Sequence, residues 1–187
     1  MKHFAILLIF LCGTGVCLAQ DSSGELQGFY QRIQPFTFNS GDPTFNVQKA
    51  GVNGFGYAIG YNLSDKYSLF QQMGMHLGVE QNGFKIRMIT ELQGMKVRTQ
   101  KGPFDLYAKG GLGVMFYSFS GNFGSGGGSA KLALNYGGGT EVQVSEGLFL
   151  VLEATRLTAG LPQLTVSPDR SKWVNAWMIT TGFAIHF

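Results

Sequence analysis

The feature that most constrains the fold is a long alternation of apolar and small or polar residues between Lys131 and Val144. The even positions carry Leu132, Leu134, Tyr136, Gly138, Thr140, Val142 and Val144, and the odd positions carry Lys131, Ala133, Asn135, Gly137, Gly139, Glu141 and Gln143. A period of two is the period of a β-strand, whose successive side chains point to opposite faces. The segment is therefore predicted to be a strand with one apolar face.

The same alternation recurs along the rest of the chain. Seven further segments follow it, namely Gln27–Phe38, Asn53–Leu63, Lys66–Val79, Phe84–Arg98, Phe104–Phe116, Leu148–Thr158 and Trp173–Phe187. Pro35 blurs the first of them, since proline is tolerated only at edges or ends of strands. In the fourth, Met95 and Val97 fall on the polar face, which suggests a bulge near Gly94.

The connections between these segments are short on one side and mostly longer on the other. The tight turns at 62–65, 100–103 and 145–147 are rich in Asn, Asp, Gly and Pro. The longer links are Asn39–Val52, Ser118–Ala130 and Ala159–Lys172, with a short link at Glu80–Gly83. This arrangement predicts an all-β fold, an eight-stranded antiparallel up-and-down β-barrel.

The positions of the glycines distinguish a soluble barrel from a membrane barrel. The chain has 28 glycines and only 13% charged residues, and many glycines lie on the faces opposite the large apolar residues. A soluble barrel with a core face of glycine and lysine would bury little apolar area. In a transmembrane barrel the apolar face meets lipid instead, and segments of this length suit strands of about 9–11 residues that cross a bilayer. The sequence therefore predicts a transmembrane barrel.

The N-terminal residues have the features of a secretory signal peptide. Lys2 precedes an apolar run, and Cys17-Leu18-Ala19 places small residues where a signal peptidase reads them. We expect residues 1–19 to be the signal peptide and 20–187 to be the barrel domain, which would then contain no cysteine. A transmembrane anchor would need about 20 apolar residues, and bulky residues before Cys12 and Cys17 argue against a lipoprotein.

The C-terminal strand points to a family. Phe187 ends the chain, and Ile179, Phe183 and Ile185 share its face. This pattern resembles the assembly signature of bacterial outer-membrane barrels. The stretch Tyr136–Glu141, followed by a short turn and Leu148–Glu153, resembles two strands of the OmpA/OmpX-like family of small eight-stranded outer-membrane proteins with porin-like barrels.

The resemblance implies a location in the cell outer membrane of a Gram-negative envelope. The expected partners are outer-membrane lipids, the barrel-assembly machinery acting on the C-terminal strand, and an unidentified extracellular ligand bound by the outer loops. It also implies that the tight turns face the periplasm and that aromatic side chains form girdles at both membrane interfaces. The expected girdle residues are Tyr61, Tyr67, Phe84, Phe104, Phe116, Trp173 and Trp177, with Phe187 at the periplasmic end.

Charged residues on the small or polar faces are expected inside the barrel. They are Arg32, Arg87, Glu91, Lys109, Glu141 and Glu153. Because an unpaired charge is costly in a low-dielectric interior, we expect them to form a polar plug, with Glu91 and Lys109 almost opposite each other. The alternative is a narrow gated channel, for which the glycines leave space.

Catalysis is the other alternative, since some eight-stranded outer-membrane barrels modify lipid A. His76 and Glu80 would share an inward face near the outer rim, but no serine follows at a convincing spacing. The glycine-rich stretches lack the Gly-Lys-Ser/Thr of a phosphate loop. The sequence predicts no enzyme, no cofactor and no metal site, and a scattered net charge of +3 argues against nucleic-acid binding.

Overall fold

The computed structural model describes residues 23–38, 47–81, 83–99, 104–121, 124–161 and 173–187. They form eight strands: β1 Gly24–Phe38, β2 Val47–Asn62, β3 Tyr67–Gln81, β4 Phe84–Arg98, β5 Phe104–Gly121, β6 Gly124–Ser145, β7 Leu148–Gly160 and β8 Trp173–His186. Within these ranges no helix is long and apolar enough to cross a membrane. The expected signal peptide lies outside the described residues.

Each strand pairs antiparallel with the next, and the last strand pairs with the first to close the barrel. The closing ladder between β1 and β8 runs from Glu25 opposite His186 to Gln34 opposite Trp177. Closure leaves no sheet edge, which is the condition for a sheet to stand in hydrocarbon without unpaired N–H and C=O groups. The predicted eight-stranded up-and-down barrel is confirmed.

Two strands are much longer than a membrane crossing requires. β5 has 18 residues and β6 has 22, whereas about 9–11 residues cross the apolar band of a membrane. Their hairpin therefore extends past the end opposite the short turns. The predicted link at Ser118–Ala130 is wrong, since β5 continues to Gly121 and β6 begins at Gly124.

The outer wall carries large apolar side chains on every strand. Exposed examples are Leu26, Tyr30, Phe55, Ile59, Leu69, Leu77, Ile89, Met95, Leu106, Leu112, Leu132, Tyr136, Leu152, Ile179 and Phe183. The opposite faces of β2, β5 and β6 carry the glycines that the alternation placed inside. An apolar outer face around a partly polar interior is the arrangement of a transmembrane barrel, as the sequence predicts.

The strand β3 contains one irregularity that changes a predicted face. Between His76 and Val79 the register with β4 shifts, and Gly78 adopts φ +95°, a left-handed conformation that favours glycine. As a result His76 is buried while Glu80 is exposed. The shared inward face predicted for these two residues is wrong.

The bulge predicted near Gly94 is also wrong. β4 pairs without a shift around Gly94 with both β3 and β5. Met95 and Val97 therefore belong to the regular outer face of β4, and Lys96 and Arg98 belong to the inner face.

Candidate functional site

The interior of the barrel is layered, with ionic groups near the short turns and apolar groups toward the other end. The lowest layer, here called the ion cluster, contains Glu25, Lys96, Arg98, Asp105 and Glu141. Lys96 Nζ lies 2.9 Å from Glu25 Oε1 and 2.8 Å from Glu141 Oε1. Arg98 contacts Glu25 and lies 3.2 Å from Glu141 and 3.6 Å from Asp105. These contacts join β1, β4, β5 and β6 across the lumen.

A second pairing lies beside the ion cluster. Lys109 Nζ is 2.8 Å from Glu153 Oε2 and donates to Gln72 Oε1 at 2.7 Å. The Tyr107 hydroxyl donates to the same Glu153 oxygen at 3.0 Å, and Lys109 also lies 4.6 Å from the ring centre of Phe70. The buried Lys109 ammonium is thus held by a carboxylate, an amide oxygen and an aromatic face, which is how a desolvated charge is compensated.

The outer part of the lumen is filled by buried apolar side chains, here called the apolar layer. Its larger members are Ile33, Phe36, Val52, Ile86, Met88, Leu92, Met115, Tyr117, Phe119, Leu157, Val174 and Met178. Tyr117 reaches from β5 to β7 and donates its hydroxyl to Gly160 O at 2.9 Å. Buried polar side chains such as Gln31, Thr90 and Asn135 line the middle of the lumen, so the prediction of a polar lumen describes its lower and middle parts and not its outer part.

A metal ion is poorly suited to the ion cluster. Glu25, Glu141 and His186 place one ligand atom each within 4.8 Å of one another. His186 Nε2 lies 3.1 Å from Glu141 Oε2. However, Lys96 and Arg98 already contact both carboxylates, so a cation would have to displace two permanent positive charges. The geometry fits an ion-pair network better than a metal site.

Half of the predicted interior charges face the lumen and half do not. Lys109, Glu141 and Glu153 are buried inside, at 7%, 0% and 5% exposure. Arg32 and Arg87 are exposed, and Glu91 is half-buried on the same face of β4 as the exposed Ile89 and Met95. Their predicted inward orientation is wrong. Lys109 is opposite Lys96 in the ladder and Glu91 is opposite Val114, so the predicted Glu91–Lys109 pairing is also wrong.

The physical reason lies in the apolar layer. The sequence analysis assigns the polar face of each strand to the interior, but in the outer half of β4 the inward residues include the apolar Ile86 and Met88. There the polar face, with Arg87 and Glu91, points outward. In β1 the inward polar residues are Glu25, Gln27 and Gln31, which leaves Arg32 on the outer face.

Five residues that sequence reasoning missed complete the site, and they are Glu25, Lys96, Arg98, Asp105 and His186. A local signal could have found two of them. Lys96 and Arg98 alternate with Met95 and Val97, which places both cations on one face without any bulge.

The predicted girdle residues that the structure describes lie on the outer wall. Tyr67, Phe104, Trp173, Trp177 and Phe187 are exposed, and Tyr61 and Phe116 are half-buried on the same wall, while the side chain of Phe84 lies outside the described residues. Ile179, Phe183 and Ile185 share the outer face of β8. Their roles as girdle and assembly signature stay predictions.

Solved structures share this fold at low sequence identity. Neisserial surface protein A matches with a TM-score of 0.69 and 10% identity over 89% of this chain and 100% of that chain. The N-terminal barrel of OprF from Pseudomonas aeruginosa matches at 0.59 and 16% over 89% and 100%. Ail from Yersinia pestis, in complex with the heparin analogue sucrose octasulfate, matches at 0.57 and 15% over 90% and 100%.

No protein-family model matches the chain, and no curated protein does either. The class is therefore defined by architecture. The closed eight-stranded barrel with an apolar outer wall is the fold of the small outer-membrane barrels that it resembles.

Proposed function

We propose that the protein is a non-enzymatic, non-conducting barrel of the outer membrane that presents its outer loops at the cell surface. The observation that carries this proposal is the two-level filling of the lumen. The ion cluster joins Glu25 on β1 to Lys96 on β4 and Glu141 on β6, and the apolar layer occupies most of the lumen toward the other end.

The two layers block ions in different ways. In the ion cluster every bridging charge already has an oppositely charged partner, so a passing ion would have to break a buried pair. In the apolar layer an ion would lose most of its hydration and would meet only a few buried polar side chains, such as Gln31 and His76, among the apolar ones, and hydrophobic constrictions gate pores by excluding water. The alternative function, a narrow gated channel, would require both layers to rearrange before ions could pass.

A surface role is supported by the reach of the β5–β6 hairpin. Ser118 and the residues beyond it on β5 lie past the length that a membrane crossing uses, so the hairpin would stand in the external medium. Ail, which has the same fold, carries a heparin analogue in its structure. An extracellular polyanion is one class of ligand for these loops, and loops on a rigid scaffold commonly carry binding functions.

The lipid A-modifying alternative is weakened by the position of His76. Its Nε2 lies 3.3 Å from Thr90 Oγ1 inside the barrel, while Glu80 is exposed beyond the bulge. A nucleophile, a base and an acid within mutual hydrogen-bond reach are the minimum for such chemistry, and His76 and Glu80 are not brought together.

The proposal is tested by fractionation followed by electrical recording. The folded protein should remain with urea-washed outer membranes and migrate differently on a gel before and after boiling. Purified barrel in a planar bilayer should then show no steady conductance. A soluble periplasmic protein would overturn the location, and reproducible channels would overturn the plug. Unchanged lipid A mass spectra with and without expression would support the non-enzymatic role, and a new lipid A species would overturn it.

A further inference from the structure

Three polar side chains stand together on the outer wall, in the part of the barrel that faces lipid. Gln71 on β3 is directly opposite Gln93 on β4, and Glu91 lies two residues along β4. Gln71 Nε2 donates to Glu91 Oε1 at 3.3 Å. We call Gln71, Glu91 and Gln93 the lipid-facing polar triad.

The triad lies well inside the apolar band. Glu91 is the central residue of β4, and the exposed Arg87 lies four residues from it on the same outer face, with the apolar Ile89 between them. Toward the short turns the exposed neighbours are Leu69, Met95 and Val97, and toward the other end they are Met75, Leu77 and Ile89. The triad therefore lies between these apolar neighbours, and Glu91 is roughly 13 Å along β4 from Arg87, which leaves it below the level of a headgroup contact.

A carboxyl and two amides in hydrocarbon are costly unless they find partners. Each glutamine amide offers two donors and an acceptor and the carboxyl offers two oxygens, but the single Gln71–Glu91 bond uses a small part of this capacity. Ionisable residues at membrane depth are as a rule paired with other groups. A partner that forms the remaining hydrogen bonds of the triad must itself present donors and acceptors at the same depth in the membrane.

A second copy of this chain meets that requirement. In one bilayer both copies have the same orientation, so a two-fold axis along the membrane normal brings the two triads together at equal depth. Such an interface is self-complementary, because each Glu91 can accept from the amides of the other copy. We propose that the protein forms a homodimer through the β3–β5 wall, centred on this triad.

The wall beside the triad allows close approach. Ala108 and Gly110 are exposed on the outer face of β5, next to Met95 and Val97 of β4. A Cβ at Gly110 would meet only Asn135 O, at 3.9 Å, so no side chain covers the outer surface of the strand at this point. Small residues of this kind let two membrane segments bring their backbones together.

The inference goes beyond the proposed function and rests on its transmembrane placement. A photo-crosslinking amino acid is introduced in place of Leu112, which is opposite Gln93 in the ladder, in cells that express the full chain. The matched control replaces Leu152, an exposed leucine on β7. We expect an adduct of twice the monomer mass from position 112 at least tenfold more abundant than from position 152.

Two variants test whether the triad holds the dimer together. Glu91→Gln keeps the polar groups and should keep the adduct, whereas the combined change Gln71→Leu, Glu91→Leu and Gln93→Leu should reduce it at least tenfold. Leucine suits a lipid-facing position, so this variant should fold, which heat-modifiability on the same samples checks. Equal adducts from both positions, an adduct to a different protein, or no adduct from a membrane-inserted barrel would overturn the dimer while leaving the proposed function intact.

Discussion

The ammonium of Lys109 lies 2.8 Å from Glu153 Oε2, and both side chains are buried inside the barrel. The two residues stand on β5 and β7, with β6 between them. The pair therefore bridges the two strands that flank β6 rather than following one ladder, and Tyr107 strengthens it by donating to the same carboxylate oxygen. An ion pair with this placement ties together strands that share no backbone hydrogen bonds.

Removing one member of this pair should destabilise the barrel strongly. Lys109→Met keeps the length of the side chain but leaves Glu153 buried and without its cation. Breaking a buried pair in this way costs about 3–5 kcal/mol. The free energy of unfolding is measured by urea titration of the protein in lipid vesicles.

The double change Lys109→Met and Glu153→Leu should recover most of that loss, because replacing a whole buried pair by apolar groups is often close to neutral. Lys66→Met, at an exposed turn, serves as the control and should shift the free energy by less than about 0.5 kcal/mol. Equal stability of Lys109→Met and the unchanged protein would contradict the assigned role of the pair.

The two layers of the lumen should each suffice to stop ions. Lys96→Ala with Glu141→Ala removes one cation and one anion and leaves Arg98 with Glu25, so the ion cluster opens without a change in net charge. We expect this variant to remain silent in a planar bilayer because the apolar layer is intact. Steady current from it would contradict a seal at two levels.

The reciprocal variant empties part of the apolar layer. Met88→Ala with Met115→Ala shortens two fully buried side chains of β4 and β5, and the ion cluster should still block conduction. Only the combination of all four changes should produce measurable conductance. The heat-modifiable gel shift of each variant shows that the barrel is folded before it is recorded.

The sequence predicts the fold well because most strands have two distinct faces. In β5 and β6 large apolar residues alternate with glycine, lysine and other polar residues, so only one orientation places the apolar side toward lipid. The turns near 62–65 and 145–147 carry local signals of their own. The predicted strand faces and turns are present in the structure because no contact with a neighbouring element opposes these local preferences.

The orientation of a strand does not follow from its sequence where both of its faces are apolar. In the outer half of β4, Ile86 and Met88 face the lumen and Ile89 faces outward, so hydrophobicity does not distinguish the sides. The ion cluster also assembles from four strands, and distant partners such as Glu25 and Lys96 meet only through barrel closure. In β3 a single glycine, Gly78, reverses the faces beyond it.

The tryptophans offer a test of the predicted aromatic girdle. Trp173 and Trp177 are the two tryptophans of the chain and both are exposed on β8. Arg156 lies 5.6 Å from the ring centre of Trp177, as expected of an amphipathic contact near headgroups. Lipids brominated close to the headgroup should therefore quench the fluorescence more than lipids brominated near the chain end.

A tryptophan at the other end provides the control for this measurement. Tyr67→Trp in a background of Trp173→Phe and Trp177→Phe should show the same preference for shallow bromines, since Tyr67 begins β3 beside a tight turn. Stronger quenching of Trp173 and Trp177 by deep bromines would place β8 differently in the membrane and would contradict the girdle.

Two glycines on neighbouring strands should respond in opposite ways to the same substitution. A Cβ at Gly94, on the inner face of β4, would collide with the backbone of β5 at the Gly110 carbonyl oxygen and at Gly111 Cα. Backbone atoms in a closed ladder cannot move aside, so Gly94→Val should cost about 1–3 kcal/mol or prevent folding. Gly110→Val adds the same side chain on the outer face, where the nearest atom is 3.9 Å away, and valine suits a strand. The two variants are compared by the fraction of heat-modifiable protein that is recovered after refolding into vesicles. We expect a large loss of folded protein only for Gly94→Val. Equal recovery of both variants would mean that the strands at Gly94 are not packed as described.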